Sequence, residues 1–173
     1  MKKTQKEKGQ AQLYLEQIKK LEEQIDRKKD KAERLYCLAT KSTASMSAGG
    51  AAGGGNHDKA GGAMDSYMDL AAEVEKDEAY LKDLICEAYD IMAPLPDRHY
   101  KVLKLHYLDY EKFDDIAKVM NYSYRNITTL HGRALQLFGK ALEEHNKRKA
   151  ENARHLDGIM NETIKAARRI RGV

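Results

Sequence analysis

Residues 120–138 read MNYSYRNITTLHGRALQLF. Met120, Ile127, Leu130, Ala134 and Phe138 recur at helical spacing, so the run predicts a helix with one face packed on a core. That spacing leaves Tyr124, Arg125, Thr128 and Thr129 outside, and the functional question is what those polar side chains meet. Ser123 is placed to cap a helix running from about Tyr124 to Glu144, because a serine hydroxyl accepts one of the amide protons the first turn leaves unpaired.

Working toward the N-terminus, KFDDIAKVM (112–120) reads as a short helix through Phe113, Ile116, Ala117, Val119 and Met120, with Asp114 and Asp115 favourable in its first turn. Asn121 follows where a residue tolerant of the left-handed conformation is wanted. LPDRHYKVLKLHYL (95–108) makes another amphipathic helix. APLP (93–96) separates this group from what precedes it, since Pro94 and Pro96 cannot continue a helix.

Two longer stripes lie upstream. Tyr14, Ile18, Leu21, Ile25, Lys28, Ala32, Leu35 and Ala39 keep a 4-3 spacing, and Tyr67, Ala71, Val74, Glu78, Leu81, Ile85, Ala88 and Met92 repeat it. Between them SAGGAAGGGNHDKAGGA (47–63) reads as a flexible turn. Residues 1–41 hold 12 Lys and Arg against 7 Asp and Glu, net +5, whereas residues 42–92 hold 3 against 10, net −7. Opposite charge favours pairing of the two helices as an antiparallel hairpin, within one chain or swapped between two. Such a hairpin buries little surface on its own, so a homo-oligomer is expected, a dimer first.

The expected fold is therefore all-α: a disordered basic N-terminus (1–9), a coiled-coil-like helical hairpin (10–92), a helical domain (94–144) and a basic helical tail (145–173). The tail ends in IKAARRIRGV, and its Leu156, Ile159, Met160, Ile164 and Ile170 are loosely spaced.

Composition narrows the function classes. Two Phe, no Trp and 34% charged residues over 173 positions suit long solvated helices better than a large enzyme core. No apolar run is long enough to span a membrane and no apolar segment follows the first lysines, so a soluble, cytoplasmic protein is expected. Cys37 and Cys86 are isolated, and read as half-buried thiols in a reducing compartment. His57, His99, His106 and His131 have no second ligand at metal spacing, the glycine stretch lacks a phosphate-binding Lys-Ser/Thr end, and no nucleophile is grouped with a base. The expectation is a non-enzymatic protein with no metal and no cofactor.

A short helix, a tight turn and a capped longer helix make a helix-turn-helix pattern, which holds the second helix so that its N-terminal end can enter a major groove. Residues 95–142 resemble region 4 of bacterial sigma factors in the Leu-Pro start with Arg98, the Leu103–Tyr107 stretch, Asp115-Ile116-Ala117, Ser123 and Arg133-Ala134-Leu135. Within that group YSYRNITTLHGRAL (122–135) is similar to phage and prophage late-gene transcription regulators of the ArpU and RinA type, whose charged, coiled region also precedes the module. The resemblance implies double-stranded DNA as partner, with RNA polymerase as a second one, in a bacterial host cell.

Carried onto this chain, the resemblance implies that Tyr124, Arg125, Thr128 and Thr129 face the groove, that Ser123 caps the helix near a phosphate, and that Asn126, His131 and Arg133 flank them. Departures are Lys112 where a capping Ser or Thr is usual, and Tyr110 and Asn121 where Gly is common. The reading face is less basic than in sigma factors, with Asn126 and Thr128 where Arg is frequent. Affinity is then expected from dimerisation and from phosphate contacts by Lys112, Lys165, Arg168, Arg169, Arg171 and the N-terminus. Two other readings share these features: a packaging protein like a small terminase subunit, and an adaptor that binds polymerase or a sigma factor without touching DNA.

Overall fold

The computed structural model describes residues 9–46 and 56–170, and every element among them is helical: α1 (Gln10–Met46), α2 (Asn56–Met92), α3 (Asp97–Tyr107), α4 (Phe113–Met120) and α5 (Tyr124–Ile170). The chain divides into two compact units, one formed by Leu13–Ala88 and the other joining the segment that ends at Gln12 to the chain from Tyr89 onward. No helix among the described residues is long and apolar enough to cross a membrane.

In the first unit, contacts pair early α1 with late α2 and late α1 with early α2, so the helices run antiparallel. Tyr14 Oη donates to Glu87 Oε2 at 3.0 Å, and the Tyr36 and Tyr67 rings lie 5.3 Å apart. Lys28 and Glu78, the two charged members of the apolar stripes, are absorbed by ion pairs. Lys28 Nζ reaches Asp77 at 2.8 Å and Glu73 at 3.1 Å, and Lys29 Nζ reaches Glu78 at 2.6 Å. These solvated pairs contribute little energy, but they fix which residues stand opposite one another.

The apolar seam departs from the strict 4-3 stripe. Leu15 and Leu84 are buried, while Leu21, Leu81 and Ile85 are only half-buried. A straight helix drifts by about 20° per heptad against a seven-residue repeat, so the facing positions move around α2 toward its C-terminal end. The glycine stretch also proves shorter than its composition suggests. Residues 47–55 lie outside the described residues, but residues 56–63 form the start of α2, where Gly61 and Gly62 are carried by the helix formers Ala60, Ala63 and Met64. Cys37 and Cys86 are exposed free thiols rather than half-buried ones.

The second unit is built around α5. Val102 and Leu103 of α3, Ile116 of α4, and Ile127, Ala134 and Phe138 of α5 are fully buried, joined by Ile91, Met92 and Leu95. Each such aliphatic or aromatic side chain is worth about 1.5–3 kcal/mol of transfer free energy, so this cluster fixes the arrangement of the three helices. Val119 does not belong to it; it is 60% exposed on α4. Leu142, farther along α5, is covered near the α1 start, where a Cβ on Gly139 would meet Ala11 Cβ at 3.6 Å.

The turns that set the helix angles are local. Pro96 stands in extended backbone before α3, and its carbonyl accepts from the His99 and Tyr100 amides at 2.8 and 3.1 Å. Among the described residues, Tyr110 and Asn121 are the non-glycine residues with positive φ, at 57° and 55°. Asparagine accepts that conformation more readily than most residues.

Candidate nucleic-acid interface

The interface is assembled by the way α4 ends and α5 begins. Asn121 closes α4 in the left-handed conformation, where Tyr122 N–H donates to the Ala117 carbonyl at 2.9 Å and Asn121 N–H to the Lys118 carbonyl at 3.2 Å. Two residues later Ser123 Oγ accepts the Asn126 amide at 3.2 Å. Both helix ends are therefore satisfied within a turn of Asn121–Ser123, and the first turn of α5 presents Tyr124, Arg125 and Asn126 to solvent while Ile127 anchors it in the core. At the other end of α4, Lys112 occupies the N-cap position with extended backbone and makes no capping bond, so a place suited to Ser or Thr holds an exposed cation instead.

Tyr124, Arg125, Asn126, Thr129 and Arg133 are exposed on α5, as is Ser123 just before it, while Thr128 is half-buried. Tyr124 is 53% exposed and sets its ring edge against Phe113, with centroids 6.3 Å apart. Thr128 and Thr129 both turn their hydroxyls back, each Oγ1 donating to the Arg125 carbonyl at 2.9 Å. Gly132 sits one turn beyond Thr128 on the same side as Arg125 and Gln136, and a Cβ placed there would meet nothing within 4 Å.

His131 is the exception among the expected readers. Its ring turns toward α3 and α4, stacking on Tyr107 at 5.7 Å and meeting Phe113 and His106 edge-on at 5.0 and 5.3 Å. Its Nε2 shares a hydrogen bond with Tyr107 Oη at 3.1 Å. Burial, with the neighbouring His106 adding to it, pushes the imidazole down to about 4, so the ring is neutral at ordinary pH. His131 is a packing residue that holds the base of the interface, because a histidine three positions before a core alanine can complete an aromatic cluster as easily as face solvent.

One contributor was not legible as a site residue. Arg98, at the start of α3, lines a shallow cleft of about 190 Å³ together with Tyr122, Asn126, Thr129, Leu130 and Arg133. Arg98 and Arg133 are far apart in sequence and come to line one cleft through the packing of α3 on α5, which no local spacing announces. None of the ion pairs among the described residues uses Arg98, Arg125 or Arg133. Two acids of this unit are engaged by lysines: Asp115 with Lys118 at 2.9 Å, which holds its carboxyl below the usual range, and Asp109 with Lys104 at 2.8 Å. Two arginines lining one cleft outside any ion pair, beside the exposed amide side chain of Asn126, form a surface suited to an anion.

Among the described residues, none of the tail lines this cleft. α5 runs without a break past the expected end near Glu144, and at about 1.5 Å per residue Lys165 lies roughly 60 Å along the helix from Arg125. Lys165 is exposed; the side chains of Arg168 and Arg169 and the whole of Arg171 lie outside the described residues. Leu156, Ile159, Met160 and Ile164 are 45–62% exposed on this extension. The lack of a sharp apolar period there reflects a helix that docks on nothing within its own unit. No group of metal-ligating side chains occurs among the described residues. Compared with protein-family models, curated proteins and solved structures, the chain finds no match.

Proposed function

We propose that this protein is a sequence-specific DNA-binding transcriptional regulator of phage type, which reads promoter DNA with a sigma-region-4-like helix-turn-helix and oligomerises through the α1–α2 hairpin. The observation that carries this reading is the capped start of α5, where Arg125 is exposed and Asn126 and Thr129 line a cleft with Arg98 and Arg133, none of the three arginines in an ion pair among the described residues. A helix end of this kind suits the major groove, with Arg125 available to a guanine edge and the Arg98 and Arg133 pair to a backbone phosphate. Lys112, before α4, adds a second phosphate contact. Bound beside a promoter in the host cytoplasm, the module would position RNA polymerase, a role that rests on the resemblance of residues 95–142.

Binding of the full chain to fragments of a host and phage genome, followed by sequencing, tests the reading. Enrichment of promoter segments, lost in Arg125→Ala, is the expected result. Retention of the same fragments by Arg125→Ala would refute the assignment of the reading face, and enrichment of a packaging site by a ring-sized assembly would replace the regulator with a terminase-like role. Arg98→Ala should weaken all fragments alike and flatten the salt dependence, as loss of a phosphate contact does.

A further inference from the structure

Thr128 and Thr129 bring to the α5 surface one hydroxyl and one methyl each, and the two groups are not equally available. A threonine hydroxyl has one proton. In both residues that proton is spent on the Arg125 carbonyl oxygen, three and four positions back, at 2.9 Å. Staggering about Cβ then holds the methyl away from the carbonyl side of the helix, so at exposed Thr129 the methyl leads into solvent and the oxygen trails along the backbone. Rotating either side chain to offer its hydroxyl would break a bond that the helix already makes.

In the major groove, guanine N7 and O6 and adenine N7 are acceptors and need a donor, whereas thymine presents an apolar 5-methyl. A side chain without a free proton satisfies none of the acceptors, but its methyl packs on thymine without loss. We propose that Thr129, with Thr128 beside it, is a thymine-selecting contact that works through methyl groups, leaving hydrogen-bonded readout to Arg125 and Asn126. This rests on the DNA-binding reading above and adds the base that this part of the helix prefers.

The test uses the full chain and a pool of duplexes with a random 20-base-pair centre. Selection should enrich thymine at one or two positions beside the Arg125-dependent base. Replacing those thymines by uracil, which lacks the methyl, should weaken binding about fourfold per methyl removed. Thr129→Val, which keeps the methyl and drops the hydroxyl, should retain both the preference and the sensitivity to uracil; Thr129→Ser should lose both, with its helical circular dichroism unchanged. Loss in the valine variant with retention in the serine variant, or indifference to uracil in the parent, overturns the methyl readout while leaving DNA binding intact. Recovery of no DNA by the parent overturns the DNA-binding reading and the inference with it.

Discussion

Gly132→Ala separates the stability of α5 from what its outer face does. The residue lies well inside a 47-residue helix, where glycine is less favourable than alanine by about 1 kcal/mol because the unfolded chain has more backbone freedom to lose. A Cβ there has open space, with nothing within 4 Å, so no steric term opposes the gain. The variant should be more stable by about 1 kcal/mol, seen as a urea midpoint raised by roughly 0.5 M at unchanged slope and a Tm raised by about 4 °C. Gly132 also shares its face with Arg125, Thr129 and Gln136, so an added methyl stands between α5 and anything docked there. DNA affinity, followed by fluorescence anisotropy, should therefore fall as stability rises. A destabilised variant would refute a continuous helix through this position. A stabilised variant with unchanged affinity would refute apposition of this face to the duplex.

The neutral, half-buried His131 makes stability depend on pH in a stated direction. Its folded value of about 4 lies below the ordinary value of 6.5, so on acidification the unfolded chain takes up the proton first. The contribution is complete above about pH 6.5 and is lost as pH falls toward 4; full burial would make it about 3 kcal/mol, and solvent screening of a half-buried ring reduces that to roughly 1–2. Urea titrations between pH 7.5 and 4.5 should show a shallower decline for His131→Phe than for the parent, and parallel curves would remove His131 from the acid sensitivity. Lys112→Ser supplies the hydroxyl that the α4 N-cap lacks and should stabilise the fold by about 1 kcal/mol, while lowering affinity for all DNA sequences alike and reducing the salt slope by about one. Asn121→Ala places an ordinary side chain at φ 55° and should cost about 1 kcal/mol, whereas Asn121→Gly should stay within roughly 0.5 kcal/mol of the parent; equal losses in both would point to the asparagine side chain rather than the backbone.

What could be read from the residues alone divides by range. Ser123, Asn121 and Lys112 act through their own backbone and the next three or four residues, so cap, left-handed turn and missing cap are all visible in the order of residue types. The outward position of Arg125 and Thr129 follows in the same way from the period of Ile127, Ala134 and Phe138. His131 and Arg98 depend instead on which helix packs against which. Polar residues at such positions look alike in sequence whether they meet an aromatic cluster, a second arginine or water. A helix past Glu144 is expected from the residues, but not that it continues α5 without a break: beyond about Ala150 the described side chains are exposed, and such a helix needs no apolar stripe, its propensity being carried by residues such as Ala150, Glu151, Ala153 and Arg154 that leave no periodic mark.

That same extension bears on where affinity comes from. With Lys165 roughly 60 Å from Arg125 along one helix, Lys165 and the proposed reading end of α5 would not grip the same turn of DNA from one chain, since a turn of the duplex rises only about 34 Å. On the DNA-binding reading, the weak basic character of the proposed reading face is offset locally instead. Arg98 joins Arg133 through the α3–α5 contact, and Lys112 stands free of any cap. Double substitution of Arg98 and Arg133 by alanine should then reduce the salt slope by nearly two, as two released counterions require, while removal of residues 165–173 should leave the slope on a single short site unchanged. A slope lowered by the truncation and not by the double variant would invert the assignment, and would require that the DNA lie along α5 rather than across its N-terminal end.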